Sequence, residues 1–263
     1  MTPPVVTIIT PLHNGADFVR RAIGSVRGQS FTDWQHLVIN DRSRDGGDEV
    51  ARQLSAEDQR LIVLDSEGPG APSTRNTGIK AAAGRYIAFL DCDDYWAPEK
   101  LKTQISHMQA HDLVFSWSSY EVVGPTGEIV RTQAAEPSST IADILTHRTV
   151  IGCLTAVYDR EKLGTMLMPQ IRMRQDLCLF WAILKRCEDL GLTAGGITTP
   201  LAFHQIHENN MTRNKAVAAS YQWRAFRDVM GLSLPQSVFY FAQYAANSIM
   251  HRARRSPTPG GGH

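Results

Sequence analysis

Three carboxylates in four residues, Asp91, Asp93 and Asp94, follow the apolar run 86–90, which reads as a buried strand. Side by side they repel one another unless something positive sits among them. Carboxylate oxygens are hard ligands that suit Mg²⁺ or Mn²⁺, and Mg²⁺ is commonly held by one or two carboxylates plus a substrate's phosphates. An acidic cluster at the carboxyl end of a buried strand therefore points to a metal that grips a diphosphate. The plainer reading is a solvated acidic turn, with Asp94 or a neighbour capping the segment from Pro98. Upstream, small residues and alanines predict a helix over 73–83, closed by Gly84 as its C′ residue. Arg75 then falls in the first turn, where helix polarity does not favour a cation. Its partner is a ligand phosphate or the carboxylate cluster, unless it is a plain surface arginine.

The run A-P-S-T-R-N-T-G-I-K-A-A-A-G-R-Y-I-A-F-L-D-C-D-D, residues 71–94, resembles the central signature of family 2 glycosyltransferases of the GT-A fold. Val6-Thr7-Ile8-Ile9-Thr10-Pro11-Leu12-His13-Asn14 resembles that family's first strand and its P-x-[YH]-N loop. Leu37-Val38-Ile39-Asn40-Asp41-Arg42-Ser43-Arg44-Asp45 resembles the second strand and its D-D-x-S-x-D loop, with Asn40 and Arg42 as departures. Ile151-Gly152-Cys153-Leu154-Thr155, Met173-Arg174-Gln175-Asp176 and Tyr221-Gln222-Trp223 are similar to the teichuronic acid and cell-surface polysaccharide branch. The match spans about residues 4–250, and the motifs in order are specific where each alone is weak. The resemblance implies an enzyme that transfers a sugar from a nucleotide diphosphate sugar, a UDP-sugar first of all.

Residue by residue, it implies nucleotide-sugar binding by Pro11, His13, Asn14, Asp41, Arg75 and Asp91. Asp41 can accept a hydrogen bond from uracil N3–H or a ribose hydroxyl, or it is simply a turn aspartate in Asn40-Asp41-Arg42-Ser43. Asp93, helped by Asp91, would hold Mn²⁺ or Mg²⁺, with His207 as a further ligand or phosphate partner in a slot where relatives carry His or Arg. His204-Gln205 stand where Tyr-Arg is usual. An ordinary histidine is the alternative at 207. Asp176 matches the second member of the family's acidic pair, the catalytic base, with Gln175 replacing the first acid; its structural alternative is a helix N-cap or first-turn acid. Arg172 and Arg174 could bind an anionic acceptor, and Arg213 and Lys215 could neutralise the leaving diphosphate or be solvated charges.

The elements that must position these residues alternate. Strands are predicted near 5–10, 35–40, 60–64 and 85–90, with helices near 15–28, 47–55, 73–83 and 97–110. This order argues for an α/β domain with a mostly parallel sheet covered on both faces. In such sheets ligands sit outside the carboxyl ends of the strands, where Pro11, His13, Asn14, Asp41, Asp91 and Asp93 all fall. Past 111 the pattern changes: a strand near 112–117, a hairpin at Gly124-Pro125-Thr126-Gly127, a polar linker over 134–140, a short helix, then 149–157. The predicted organisation is a GT-A domain over 1–215, its halves 1–110 and 111–215 serving donor and acceptor, a helical extension over 216–255 and a disordered tail over 256–263.

Composition sets bounds. The chain of 263 residues is 43% hydrophobic, enough for a sizeable core, and its net charge of +1 offers no bulk attraction to nucleic acid. Cys92, Cys153, Cys178 and Cys187 form no C-x-x-C pair and read as free thiols in a reducing compartment. No apolar run reaches transmembrane length and the start lacks a charged leader region, so the expectation is a cytoplasmic protein, peripheral on the cytoplasmic membrane face. The last helix, 236–255, interleaves Phe239, Tyr240, Phe241 and Tyr244 with Arg252, Arg254 and Arg255. It reads as a contact for an anionic membrane, as an arm in a homo-oligomer, or as packing against its own domain. The acceptor expected is a polysaccharide or a lipid-linked saccharide. A dinucleotide oxidoreductase lacks its glycine fingerprint here, since Pro11-Leu12-His13-Asn14-Gly15 follows the first strand. A non-catalytic sugar-nucleotide binder stays open.

Overall fold

The architecture comes from a computed structural model that describes residues 3–207 and 215–253. Arg213, the side chains of Lys215 and Arg252, and the segment 254–263 lie outside what is described, and with them the expectations placed there. The first half alternates as expected: β1 Val6–Leu12, α1 Ala16–Arg27, β2 Trp34–Asn40, α2 Gly47–Glu57, β3 Leu61–Asp65, α3 Ala71–Ala81 and β4 Tyr86–Phe89. There follow β5 Tyr95–Trp96, α4 Lys100–Ala110, β6 Leu113–Val123, β7 Ile129–Gln133, α5 Ile141–Leu145, a 3₁₀ turn Cys153–Thr155, β8 Val157–Asp159 and α6 Arg160–Leu163. The chain then enters α7 Gln175–Leu190, β9 Thr193–Gln205, α8 Lys215–Arg224, a π-helical turn Ala225–Val229 and α9 Leu234–Ala253.

Among the described residues one sheet holds nine strands in the order β3-β2-β1-β4-β8-β6-β9-β5, with β7 paired to β6. The strands β1 to β4 are mutually parallel where they pair, while β8 joins β4 and β6 antiparallel and β9 runs parallel to β6. The sheet is therefore mixed: two parallel sets, β3-β2-β1-β4 and β6-β9, are joined by the antiparallel β8. Alternate residues of the central strands serve opposite layers. Ile9, Ile87 and Phe89 pack with Ile79 of α3 and Phe180 and Ile183 of α7. Ile8, Ala88 and Leu90 pack with Ala22 and Val26 of α1 and Leu101 and Ile105 of α4. Both faces are covered, which is why these strands are apolar throughout rather than alternating. In α1 the buried residues Val19, Ala22, Ile23 and Val26 recur at helical spacing.

The chain leaves β1 towards β2 and β3, then returns to place β4 on β1's other side. Between β1 and β4 the strand order reverses, and such a switch opens a crevice at the carboxyl ends of the two strands.

One expectation is corrected. Gly84 does not close α3 in the left-handed conformation, because the helix ends at Ala81 with Ala82 already extended. Gly84 instead lies against β1, where its N–H donates to Thr7 Oγ1 at 2.8 Å and a Cβ would stand 2.6 Å from the Thr7 nitrogen.

Candidate functional site: the carboxyl edge of β1, β2 and β4

The loops after β1 and β2 form a cradle. Their register pairs Leu12 with Asn40, so His13 and Asp41 leave the sheet side by side. The Asp41 N–H donates to the Leu12 carbonyl at 2.7 Å, and His13 Nδ1 donates to the Asp41 carbonyl at 2.7 Å. A carbonyl can only accept, so the hydrogen sits on Nδ1 and leaves Nε2 to face Asn14 Nδ2 at 3.3 Å. Asn14 Oδ1 accepts from the Arg44 N–H at 2.9 Å, which fixes the orientation of its amide. Asn14 and Arg42 both sit at positive φ, 52° and 56°, a region that asparagine tolerates and arginine seldom adopts. The buried Asp41 carboxylate accepts the Gly70 N–H through Oδ2 at 2.7 Å. These residues line a cleft of about 820 Å³ between the two loops, the start of α3 and Gln170-Ile171-Arg172. Asn40 belongs to the scaffold: its Oδ1 accepts the Ser43 N–H at 3.0 Å and its Nδ2 donates to Asp65 at 3.0 Å.

The acidic turn after β4 is stitched by an Asp94 N–H to Asp91 carbonyl bond of 3.1 Å. Arg75 lies in the second turn of α3, not the first, and its guanidinium is paired with Asp91. It is 6% exposed, and its Nε and Nη1 have no hydrogen-bond partner. Burial works against the Arg75 charge, but Asp91 outweighs it and keeps the guanidinium charged; Asp176 adds to that field. Arg75 therefore sits electrostatically between the turn and the start of α7. Asp93 is pushed up by burial and then by Asp91 beside it. His207 Nε2 faces Asp93 Oδ2 at 3.8 Å, too far for a hydrogen bond, and among the described residues this buried nitrogen has no hydrogen-bond partner. Asp94, by contrast, is a scaffold residue and no helix cap: its Oδ1 accepts from His204 Nδ1 at 3.0 Å and from the Gln205 N–H at 3.1 Å.

Among the described residues, no three His, Cys, Asp or Glu side chains are grouped so as to hold a metal. The expected set of Asp91, Asp93 and His207 thus divides, because the buried Arg75 needs a counter-charge and takes Asp91. Asp93 and His207 still fit a divalent ion that draws its remaining ligands from a substrate. The carboxylate is oxygen-hard and lacks a positive partner at hydrogen-bond distance, the imidazole nitrogen is unpartnered, and two such ligands are what a phosphate-bridged ion commonly uses.

Asp176 is the second residue of α7, a first-turn acid whose Oδ1 accepts the Leu177 N–H at 2.8 Å. It is not the N-cap; that position falls to Arg174, at φ 70°. Asp176 borders a small cavity of about 90 Å³ shared with Arg174, Gln222 and Tyr244. The Tyr244 hydroxyl accepts from Arg174 Nη2 at 2.7 Å. The inner face of α9 therefore packs on the site's own flank, with Tyr240 and Phe241 against Phe226 and Cys178. Its outer face leaves Leu234, Val238, Phe239 and Met250 exposed.

Sequence reasoning missed the residues that brace the acidic turn. Arg21 of α1 donates to the Asp93 carbonyl and to Gln205 Oε1, both at 3.1 Å, and stacks over Tyr95. A helical arginine carries no local signal of such a role, since its partners are 72 and 184 residues away.

The profile described as "Glycosyl transferase family 2" matches residues 7–164. The Bacillus subtilis strain 168 protein TuaG, named provisionally as a teichuronic acid biosynthesis glycosyltransferase, is 35% identical over 95% of this chain and 98% of its own. An Escherichia coli UDP-Glc:alpha-D-GlcNAc-diphosphoundecaprenol beta-1,3-glucosyltransferase, WfgD, is 30% identical over 95% of each chain. Among solved structures, Staphylococcus aureus TarS 1-349 in complex with UDP-GlcNAc superposes with a TM-score of 0.72 at 16% identity, over 92% of this chain and 71% of that one. A Pyrobaculum calidifontis mannosyltransferase in complex with GDP-Man and Mn²⁺ gives 0.61 at 17% identity, over 98% and 77%. A mixed α/β sheet with a crevice at the carboxyl ends of β1 and β4 and an acidic turn beside it is the frame these solved glycosyltransferases share. This chain belongs to glycosyltransferase family 2.

Proposed function

We propose that the chain is a metal-dependent, inverting transferase that moves a sugar from a UDP-sugar to a saccharide on a lipid carrier. The observation that carries this reading is one buried arginine, Arg75, set between the acidic turn of the donor side and the α7 acid Asp176. The donor's base and ribose would enter the cleft bounded by His13, Asn14, Asp41 and Arg42, with the free Oδ1 of Asp41 to receive the base's N–H. Asp93 and His207 would hold Mn²⁺ or Mg²⁺, which offsets charge on the departing diphosphate. Arg75 would hold Asp91 in place through their ion pair. Asp176 would take the proton from the acceptor hydroxyl as that oxygen attacks the anomeric carbon, so that a single displacement inverts the centre. TarS is complexed with UDP-GlcNAc, the Pyrobaculum enzyme with Mn²⁺, and WfgD is named for a UDP-Glc donor and a diphosphoundecaprenol-linked acceptor, all of which support the choice. The exposed apolar stripe of α9 is consistent with a membrane-borne acceptor.

The test is calorimetric titration of UDP with and without Mn²⁺. The parent is expected to bind UDP more tightly with Mn²⁺, and Asp93→Ala to lose that gain while keeping its metal-free affinity. Equal affinities and equal transfer rates in the two proteins would overturn the metal assignment.

A further inference from the structure

The cavity beside Asp176 is larger than one hydroxyl needs. It encloses about 90 Å³, several times the roughly 10–15 Å³ that a single water occupies by this kind of measure. One wall is apolar and includes Ile151, Leu177 and Phe180. The polar side carries Gln222 from α8, which is 1% exposed and has no hydrogen-bond partner at either Oε1 or Nε2. Buried polar side chains are nearly always paired, so a primary amide with both ends free calls for a ligand. Beside it Arg174 is pinned by the Tyr244 hydroxyl, yet its buried Nε is also without a partner.

The geometry points to Gln222 as a specificity-determining residue that receives an acetamido group of the acceptor sugar, next to the hydroxyl addressed by Asp176. This rests on the acceptor reading above and names the acceptor's chemistry. A trans acetamido group presents its carbonyl to Gln222 Nε2 and its methyl to the apolar wall, and a neighbouring sugar hydroxyl can donate to Gln222 Oε1. A bare hydroxyl would leave that wall unfilled. A carboxylate could pair with Arg174, but it would lie beside Asp176 and bring no methyl to the apolar wall. Gln222 lies beyond residues 7–164, so the family profile does not contain it.

Saturation-transfer NMR tests this without any donor, using methyl N-acetyl-glucosaminide and methyl glucoside as probes. The full chain is expected to transfer saturation to the acetyl methyl and much less to the glucoside. Gln222→Met, similar in volume and unable to hydrogen-bond, should abolish the acetyl preference while keeping the melting temperature. Gln222→Glu keeps the shape but loses the amide donor, and serves should the first variant fold poorly. Asp176→Asn should keep the preference. No acetyl signal in the parent, or an undiminished preference in both Gln222 variants, would overturn the assignment. A parallel UDP titration reads the donor side separately: loss of UDP binding would count against the transferase reading and leave the probe contrast standing.

Discussion

At the scale of the residue, the consequential assignment is Asp176. Asp93 is on the proposed metal and a metal-bound carboxylate is a poor base, while Asp41 already accepts from Gly70. Asp176 takes only the Leu177 N–H, through one oxygen. Asparagine retains that bond, so Asp176→Asn separates chemistry from folding. General base catalysis contributes on the order of 10²–10⁴-fold. Transfer to acceptor is expected to fall by at least the lower figure in a steady-state assay, with UDP affinity and melting temperature little changed; transfer at the parent rate would remove Asp176 from the mechanism. The edge shared by His13, Asn14, Asp41, Asp91 and Asp93 was legible in sequence because each comes shortly after a strand, whereas Pro11 lies inside β1 and Arg75 in α3. The division of labour within the acidic triplet was not. Asp91 goes to Arg75, Asp93 faces His207 and Asp94 goes to His204. Those partners come from α3, from β9 and from His207 just past it, and no local pattern encodes a pairing across 110 residues.

At the scale of the element, the tightest requirement is where the loop after α3 crosses β1. A Cβ at Gly84 would meet the backbone of Thr7 and Val6, at 2.6 and 2.7 Å, and backbone in a central strand cannot give way. Overpacking of this kind costs about 1–3 kcal/mol. Gly84→Ala is expected to lower the urea midpoint accordingly with an unchanged slope, and an unaltered midpoint would show that the crossing has slack. The first four strands were readable as continuous apolar runs bounded by turn residues, with helices long enough to fill the stretches between them. The two-residue β5 and the three-residue β8 exist only as partners of β9 and of β4 and β6. β9 contains Gly195, Gly196 and Pro200, which argue against a strand locally. Its ladder with β6 holds Gly195 and Gly196 in register opposite Ser116 and Trp117 and shifts beside Pro200, and Gly196 leaves room for the Trp117 indole.

At the scale of the whole molecule, one buried charge stands outside the site. Lys100 is 0% exposed, its Nζ has no hydrogen-bond partner, and it lies 3.8 Å from the centre of the Trp96 ring. The ring face favours an ammonium by about 2 kcal/mol at best, against several kcal/mol for removing an unpaired ion from water. Burial therefore wins and pushes Lys100 well below its ordinary value. The fold holds it neutral while the unfolded chain binds a proton, so stability should rise with pH until about pH 10.4, by at most about 1.4 kcal/mol per unit. Lys100→Met should be more stable near neutrality and should flatten that slope, as chemical denaturation at several pH values would show. An unchanged slope would mean that the ammonium is hydrated after all.

The sheet also carries a seam. β4 meets β8 only through Tyr86–Asp159, Ile87–Tyr158 and Ala88–Val157, and the elements that reach the Asp176 cavity from α7 onward lie beyond the family profile's last residue, 164. On the proposed reading, one bank of this seam handles the activated sugar and the other reads what is to be extended. On that reading, substitutions on the far bank would change which acceptor is extended and leave the cleft for the activated sugar as it is.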